Sequence, residues 1–175
     1  MLPKRLMAAC VSSLLVGCTL AATSFRPSTT PVVRREIVAI YLGAEGADAR
    51  SDMTTAVRDM QVALARSARA DGREFVSHGV SLEPLVADGL RHLARLGSFD
   101  EVSVGGNWAN SSVVKYLGGT TSDSLKRLIP QVVLVEREVR TENGTLEIGP
   151  ERELGRHIGA AAISAWVRQG APLTR

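Results

Sequence analysis

The chain has 175 residues, 45% apolar, 22% charged and 4% aromatic, with 21 basic against 18 acidic side chains and a formal net charge of +3. That length suits one domain with a real core, and the apolar fraction excludes a disordered polymer. Only two cysteines are present, Cys10 and Cys18, so a disulfide scaffold is excluded as well.

The first segment reads as an address. Lys4 and Arg5 precede an apolar run from Leu6 to Val16, followed by Gly17 and Cys18. A short positive head before an apolar run too short to span a bilayer has the anatomy of a secretory signal peptide. The stretch Leu15-Val16-Gly17-Cys18 resembles the lipobox of bacterial lipoprotein precursors. That resemblance implies cleavage before Cys18 and acylation of its sulfur and new amino group. Several acyl chains anchor where one holds only weakly. Thr19, in place of Asp, implies sorting to the outer membrane, facing the periplasm. Loss of residues 1–17 takes Lys4 and Arg5 with it, leaving 19 basic against 18 acidic residues. No basic stripe then remains to support nucleic-acid binding.

Residues 18–34, rich in Thr, Ser, Ala and Pro, read as lipid anchor and flexible tether, and residues 35–170 as the domain. Glu36 to Leu42 is an apolar, β-branched run, the mark of a buried strand. A polar loop, Gly43 to Asp52, follows, with Ser51 or Asp52 placed to cap a helix. Met53, Val57, Met60 and Leu64 then recur at helical spacing up to Asp71-Gly72. Glu74 to Val80 is a second strand, and Leu82, Val86, Leu90 and Leu93 mark a second helix closing at Leu96-Gly97. Asp100 to Val104 alternates as a short strand, Gly105 to Asn110 is a turn, and a short helix runs to Leu117. After Ile129-Pro130 comes the strand Gln131 to Glu136. Asn143-Gly144 signals a hairpin returning through Thr145 to Ile148. Pro150 is expected to open the last helix, with Leu154, Ile158, Ala161 and Ala165 on one face.

Such alternation argues for an α/β layer structure with a mixed sheet. The order resembles the thioredoxin-like sandwich, β-α-β-α-β-β-α, with an inserted strand–helix piece before Pro130. In that family the proline at the start of this strand is cis, so the resemblance implies a cis Ile129–Pro130 bond. It also places the family's redox motif on the loop Tyr41 to Ala49, which here holds Glu45 and Asp48 but no cysteine. Thiol exchange lacks its nucleophile there.

No cofactor is implied. His78, His92 and His157 are too far apart in sequence for a metal motif, and there is no Gly-x-Ser-x-Gly elbow. The segment Gly105-Gly106-Asn107-Trp108 lacks the spacing of a phosphate loop. It reads as a tight turn or, with Trp108 as anchor, as a recognition loop for a protein partner. The leading expectation is a non-catalytic, lipid-anchored accessory subunit of an envelope, secretion or conjugation assembly, without nucleic acid, metal or enzyme activity. The alternative is a small-ligand-binding or hydrolytic enzyme using His78, Asp48 or Asn107 in a crevice at the strand C-terminal ends. A fixed His78 with a carboxylate partner favours the enzyme, and an exposed apolar patch around Trp108 favours the binding module.

Overall fold

The computed structural model describes residues 31–48, 52–117 and 128–173. Cys18, Ser51 and the signal segment lie outside them. The sheet is built around β1 (Val32–Gly43), whose residues from Ile37 to Leu42 are fully buried. A strand apolar on both faces needs cover on both, and β1 has it. Beside it lie β2 (Glu74–Ser81), parallel, and β4 (Gln131–Glu142), antiparallel. Ile40 is opposite His78 on one side and Val133 on the other. The short strand β3 (Glu101–Ser103) extends the sheet in parallel beyond β2. On the far side, β4 is flanked by β5 (Thr145–Ile148) along its second half and by β6 (Arg152–Ile158) along its first, with a register shift at Leu134/Val135.

Alternation along the strands divides the core in two. On one face Ala39, Tyr41, Val132 and Leu134 pack against Met53, Val57, Met60 and Leu64 of α2 (Met53–Ala70), Leu93 and Leu96 of α3 (Val86–Leu96), and Ile163 and Trp166 of α5 (Ala160–Arg168). On the other face Val38, Ile40, Leu42, Val80, Val133 and Val135 meet Val113, Tyr116 and Leu117 of α4 (Ser111–Leu117). A four-residue helix, α1 (Glu45–Asp48), sits in the loop after β1. Asp52 caps α2, accepting a hydrogen bond from the Thr55 amide. The order β-α-β-α, inserted β3–α4, then antiparallel β4, hairpin and closing helix is the thioredoxin-like sandwich. The Ile129–Pro130 bond is cis, and Asn143 and Gly144 turn the hairpin at positive φ.

Three expectations are corrected. First, β1 opens at Val32 rather than Glu36, because Val32–Arg35 pair with Thr141–Glu138 of β4. Second, residues 152–158 are a strand and not the first turns of the last helix. They pair with β4, and Gly159, at φ 85°, breaks the chain before α5 starts. His157 therefore lies on β6, its ring stacked at 4.1 Å on Trp166. Third, Val86 and Leu90 of α3 are exposed. The helix instead turns Gly89, His92, Leu93 and Leu96 inward, and a Cβ at Gly89 would stand 3.0 Å from that of Val104. In β3 Val102 is exposed. Glu101 and Ser103, on the opposite side, reach His78.

Candidate functional site

The register that sets His78 beside Glu101 in neighbouring strands also brings Ser103, two residues on, to the same face. His78 Nε2 lies 2.9 Å from Ser103 Oγ, and Ser103 Oγ lies 2.8 Å from Ser112 Oγ at the start of α4. On the other side of the ring, Nδ1 is 3.8 Å from Glu101 Oε2. Arg137 holds that carboxylate from beyond, donating to Glu101 at 2.7 Å and to Glu36 at 2.8 Å. Tyr116, one helical turn after Ser112, meets the imidazole edge-on at 6.3 Å between centroids. The result is a continuous polar row, Ser112–Ser103–His78–Glu101–Arg137–Glu36, along the margin of the α4-side core.

The loop between the two serines makes their meeting possible. Gly105, Gly106 and Asn107 run at φ 79°, 71° and 50°, which glycine permits and asparagine tolerates. A Cβ on Gly105 would fall 2.7 Å from Val86 Cγ2. Asn110 then fastens the turn to the helix, donating to the Gly105 carbonyl at 3.1 Å and accepting from the Ser112 amide at 2.9 Å. The glycines thus serve a tight turn. Trp108, on the same turn, is half-buried against the α4-side core instead of standing clear of the surface. Among the described residues the groups that meet His78 are Ser103, Glu101 and Tyr116 rather than Asn107, and the Asp48 side chain lies outside them.

Burial lowers the His78 pKa, outweighing Glu101, which raises it; Arg137 adds to the lowering. The ring is accordingly neutral at pH 7. The carboxylate beside Nδ1 favours the proton there, which leaves Nε2 to accept from the Ser103 hydroxyl. Burial likewise raises the Tyr116 phenol, whose hydroxyl donates to both oxygens of Glu151 at 3.1 Å. Behind Tyr116 opens a cavity of about 530 Å³, lined also by Lys115, Pro150, Glu153 and Arg156. Arg156 donates from there to the Tyr116 carbonyl and to Gln131 beside the cis proline. Among the described residues no group of three His, Cys, Asp or Glu side chains is placed to hold a metal.

Sequence reasoning singled out His78 but missed its partners. The available signal was spacing: Glu101 and Ser103 share parity on a strand that, laid parallel to β2, faces them toward the histidine.

No protein-family model matches the chain, and no curated protein matches it. Among solved structures, the fold is similar to a putative thiol:disulfide interchange protein DsbE from Chlorobium tepidum, with 16% identity, a TM-score of 0.43, and 78% of this chain and 77% of that one covered. It is also similar to the thioredoxin domain of a thiol-disulfide oxidoreductase from Bacteroides vulgatus, with 11% identity, a TM-score of 0.41, and 82% and 95% covered. A third is BsSco, of the Sco family of cytochrome c oxidase assembly proteins, with 11% identity, a TM-score of 0.36, and 84% and 95% covered. The likeness is one of fold. The expectation that the chain is not an enzyme is corrected here: it rested on the lack of a catalytic constellation, and the Ser103–His78–Glu101 row has the residue types of one. The missing cysteines bear on thiol chemistry alone.

Proposed function

We propose that the chain is a lipid-anchored envelope protein whose thioredoxin-like domain hydrolyses small carboxylic esters through Ser103, His78 and Glu101. One observation carries the reading: Ser103 Oγ is 2.9 Å from the acceptor nitrogen of a buried, neutral histidine whose other nitrogen faces a carboxylate. In the reaction Ser103 Oγ attacks the ester carbonyl while its proton passes to His78 Nε2. The tetrahedral species collapses, the alkoxide leaves with the proton from His78, and an acyl group stays on Ser103. Water then attacks that acyl-enzyme with His78 again as base, releasing the acid and restoring the serine. Glu101 orients the ring and offsets its transient positive charge, and Ser112 supplies a hydroxyl to the nucleophile.

A fluorophosphonate probe tests this, since it labels only an activated serine. Wild-type protein should label and should hydrolyse a p-nitrophenyl ester, while Ser103→Ala and His78→Ala should do neither. Undiminished labelling and turnover in both variants would refute the assignment. The anchor is tested separately: Cys18→Ala should abolish uptake of a fatty-acid probe and release the protein from the membrane fraction. Persistent labelling of that variant would sink the lipobox reading.

A further inference from the structure

On the opposite face of the sheet from His78, three guanidinium groups converge on one carboxylate. Glu136, itself buried, accepts from Arg35 at 2.5 Å and Arg73 at 3.2 Å on one oxygen and from Arg152 at 2.6 Å on the other. These bonds, led by that from Arg152, hold its carboxyl below the usual range. Arg73 also pairs with Asp71, and its Nε is buried with no hydrogen-bond partner among the described residues. The cluster lines a cavity of about 480 Å³.

The charges in that lining are three cations against two anions, Glu136 and Asp71, so one positive charge is left over. Arg35 and Arg152 each spend one nitrogen on Glu136 and keep side chains 56% and 68% exposed at the mouth. A guanidinium presents its donors as a planar fork suited to an oxyanion, and two such forks flank the opening. The rest of the wall is Ser67 and the apolar Leu154, Pro172 and Leu173, and its end is held in place: Trp166 Nε1 donates to the Pro172 carbonyl at 3.1 Å. A polar, net-positive mouth over an apolar wall is the usual anatomy of a small-molecule site.

We propose that this cavity binds an organic oxyanion, a phosphate monoester or carboxylate with a small apolar body. The anionic head lies across Arg35 and Arg152, and the body lies on Leu154 and Leu173. This site is independent of the Ser103–His78 centre. The N-terminal half of β1, which carries Arg35, is also where the chain enters the domain. The same oxyanion chemistry could thus come from a soluble metabolite or from a lipid headgroup.

The test is calorimetric titration of the full chain in detergent with phenyl phosphate and inorganic phosphate at constant ionic strength, alongside sedimentation of the unacylated Cys18→Ala protein, with and without the arginine substitutions, with vesicles containing phosphatidylglycerol. Saturable binding of phenyl phosphate, tighter than of inorganic phosphate, is expected. It should weaken about tenfold or more in Arg35→Ala and in Arg152→Ala, and stay unchanged in Arg91→Ala, an exposed arginine on α3. Vesicle binding lost in the same two variants would assign the head to a lipid, and its absence would assign it to a soluble ligand. No saturable binding to either phosphate or to vesicles, or equal loss in Arg91→Ala, overturns the proposal. Because both substituted arginines are exposed, unchanged thermal unfolding is the expected control.

Discussion

Ser81 and His92 meet in the interior, Oγ 3.0 Å from Nδ1, with the serine fully buried and the histidine 2% exposed. This bond ties the end of β2 to the middle of α3, beneath the close contact of Gly89 with Val104. Ser81→Ala removes one partner and leaves Nδ1 buried without this bond, a cost of about 1–3 kcal/mol. Urea unfolding measures it. A change within about 0.5 kcal/mol, typical of surface substitutions, would mean the bond contributes little.

Catalytic variants should separate by role. Ser103→Ala and His78→Ala should lower kcat/KM by about a hundredfold or more, the range expected when a nucleophile or general base is lost. Glu101→Gln acts only through His78, so its loss should be smaller. It should also shift the acidic limb of the pH–rate profile, which a purely structural role would leave in place.

Burial keeps the folded-state pKa of both His78 and His157 below the ordinary histidine value. As pH falls through about 6.5, the unfolded chain takes up these protons before the folded one does, so stability declines on the acid side. Urea midpoints at pH 7.5 and 5.5 should differ in the wild type. His78→Gln and His157→Gln should each narrow the gap. A gap unchanged in both would assign the acid sensitivity elsewhere.

The turn before α4 predicts an asymmetry between adjacent glycines. Gly105→Ala incurs left-handed strain plus overlap with Val86, together about 2–3 kcal/mol. Gly106→Ala incurs the strain alone, about 1 kcal/mol, because its nearest neighbour stands 3.6 Å off. Chemical denaturation of the two proteins ranks them. The Gly105 variant should also lose esterase activity, because it disturbs the approach of Ser112 to Ser103.

Trp108→Ala should destabilise the fold, since the indole packs on the α4-side core, and a lowered melting temperature is the readout. Unchanged melting with loss of a captured partner would return Trp108 to the role of a surface anchor.

Punctuation was the most legible part of the chain. Asp52, Asn143-Gly144 and Pro130 each act through their own local chemistry, so their positions could be read without knowing what surrounds them. The segment from Pro150 was misread because Leu154, Ile158, Ala161 and Ala165 keep a near-helical spacing across a strand–helix junction. Only the pairing of β6 with β4, a contact distant in sequence, decides between the two. The site was hidden for a related reason. The alternation of Asp100 to Val104 does not say which set meets the histidine; pairing with β2 brings Glu101 and Ser103 to a histidine and an arginine supplied by other strands, while Val104 packs on the α2-side core.

The handover at Gly149–Glu151, where β6 gives way to β5 along β4, has a consequence for self-association. A long, flat free edge is a template on which another chain can add a strand. Here that flank is broken into pieces of seven and four residues, offset by a proline-containing step, and the opposite flank is the three-residue β3. Neither side offers the unbroken run of unpaired amides and carbonyls that fibril growth requires. The interruption itself thus protects the sheet from edge-to-edge stacking at high local concentration.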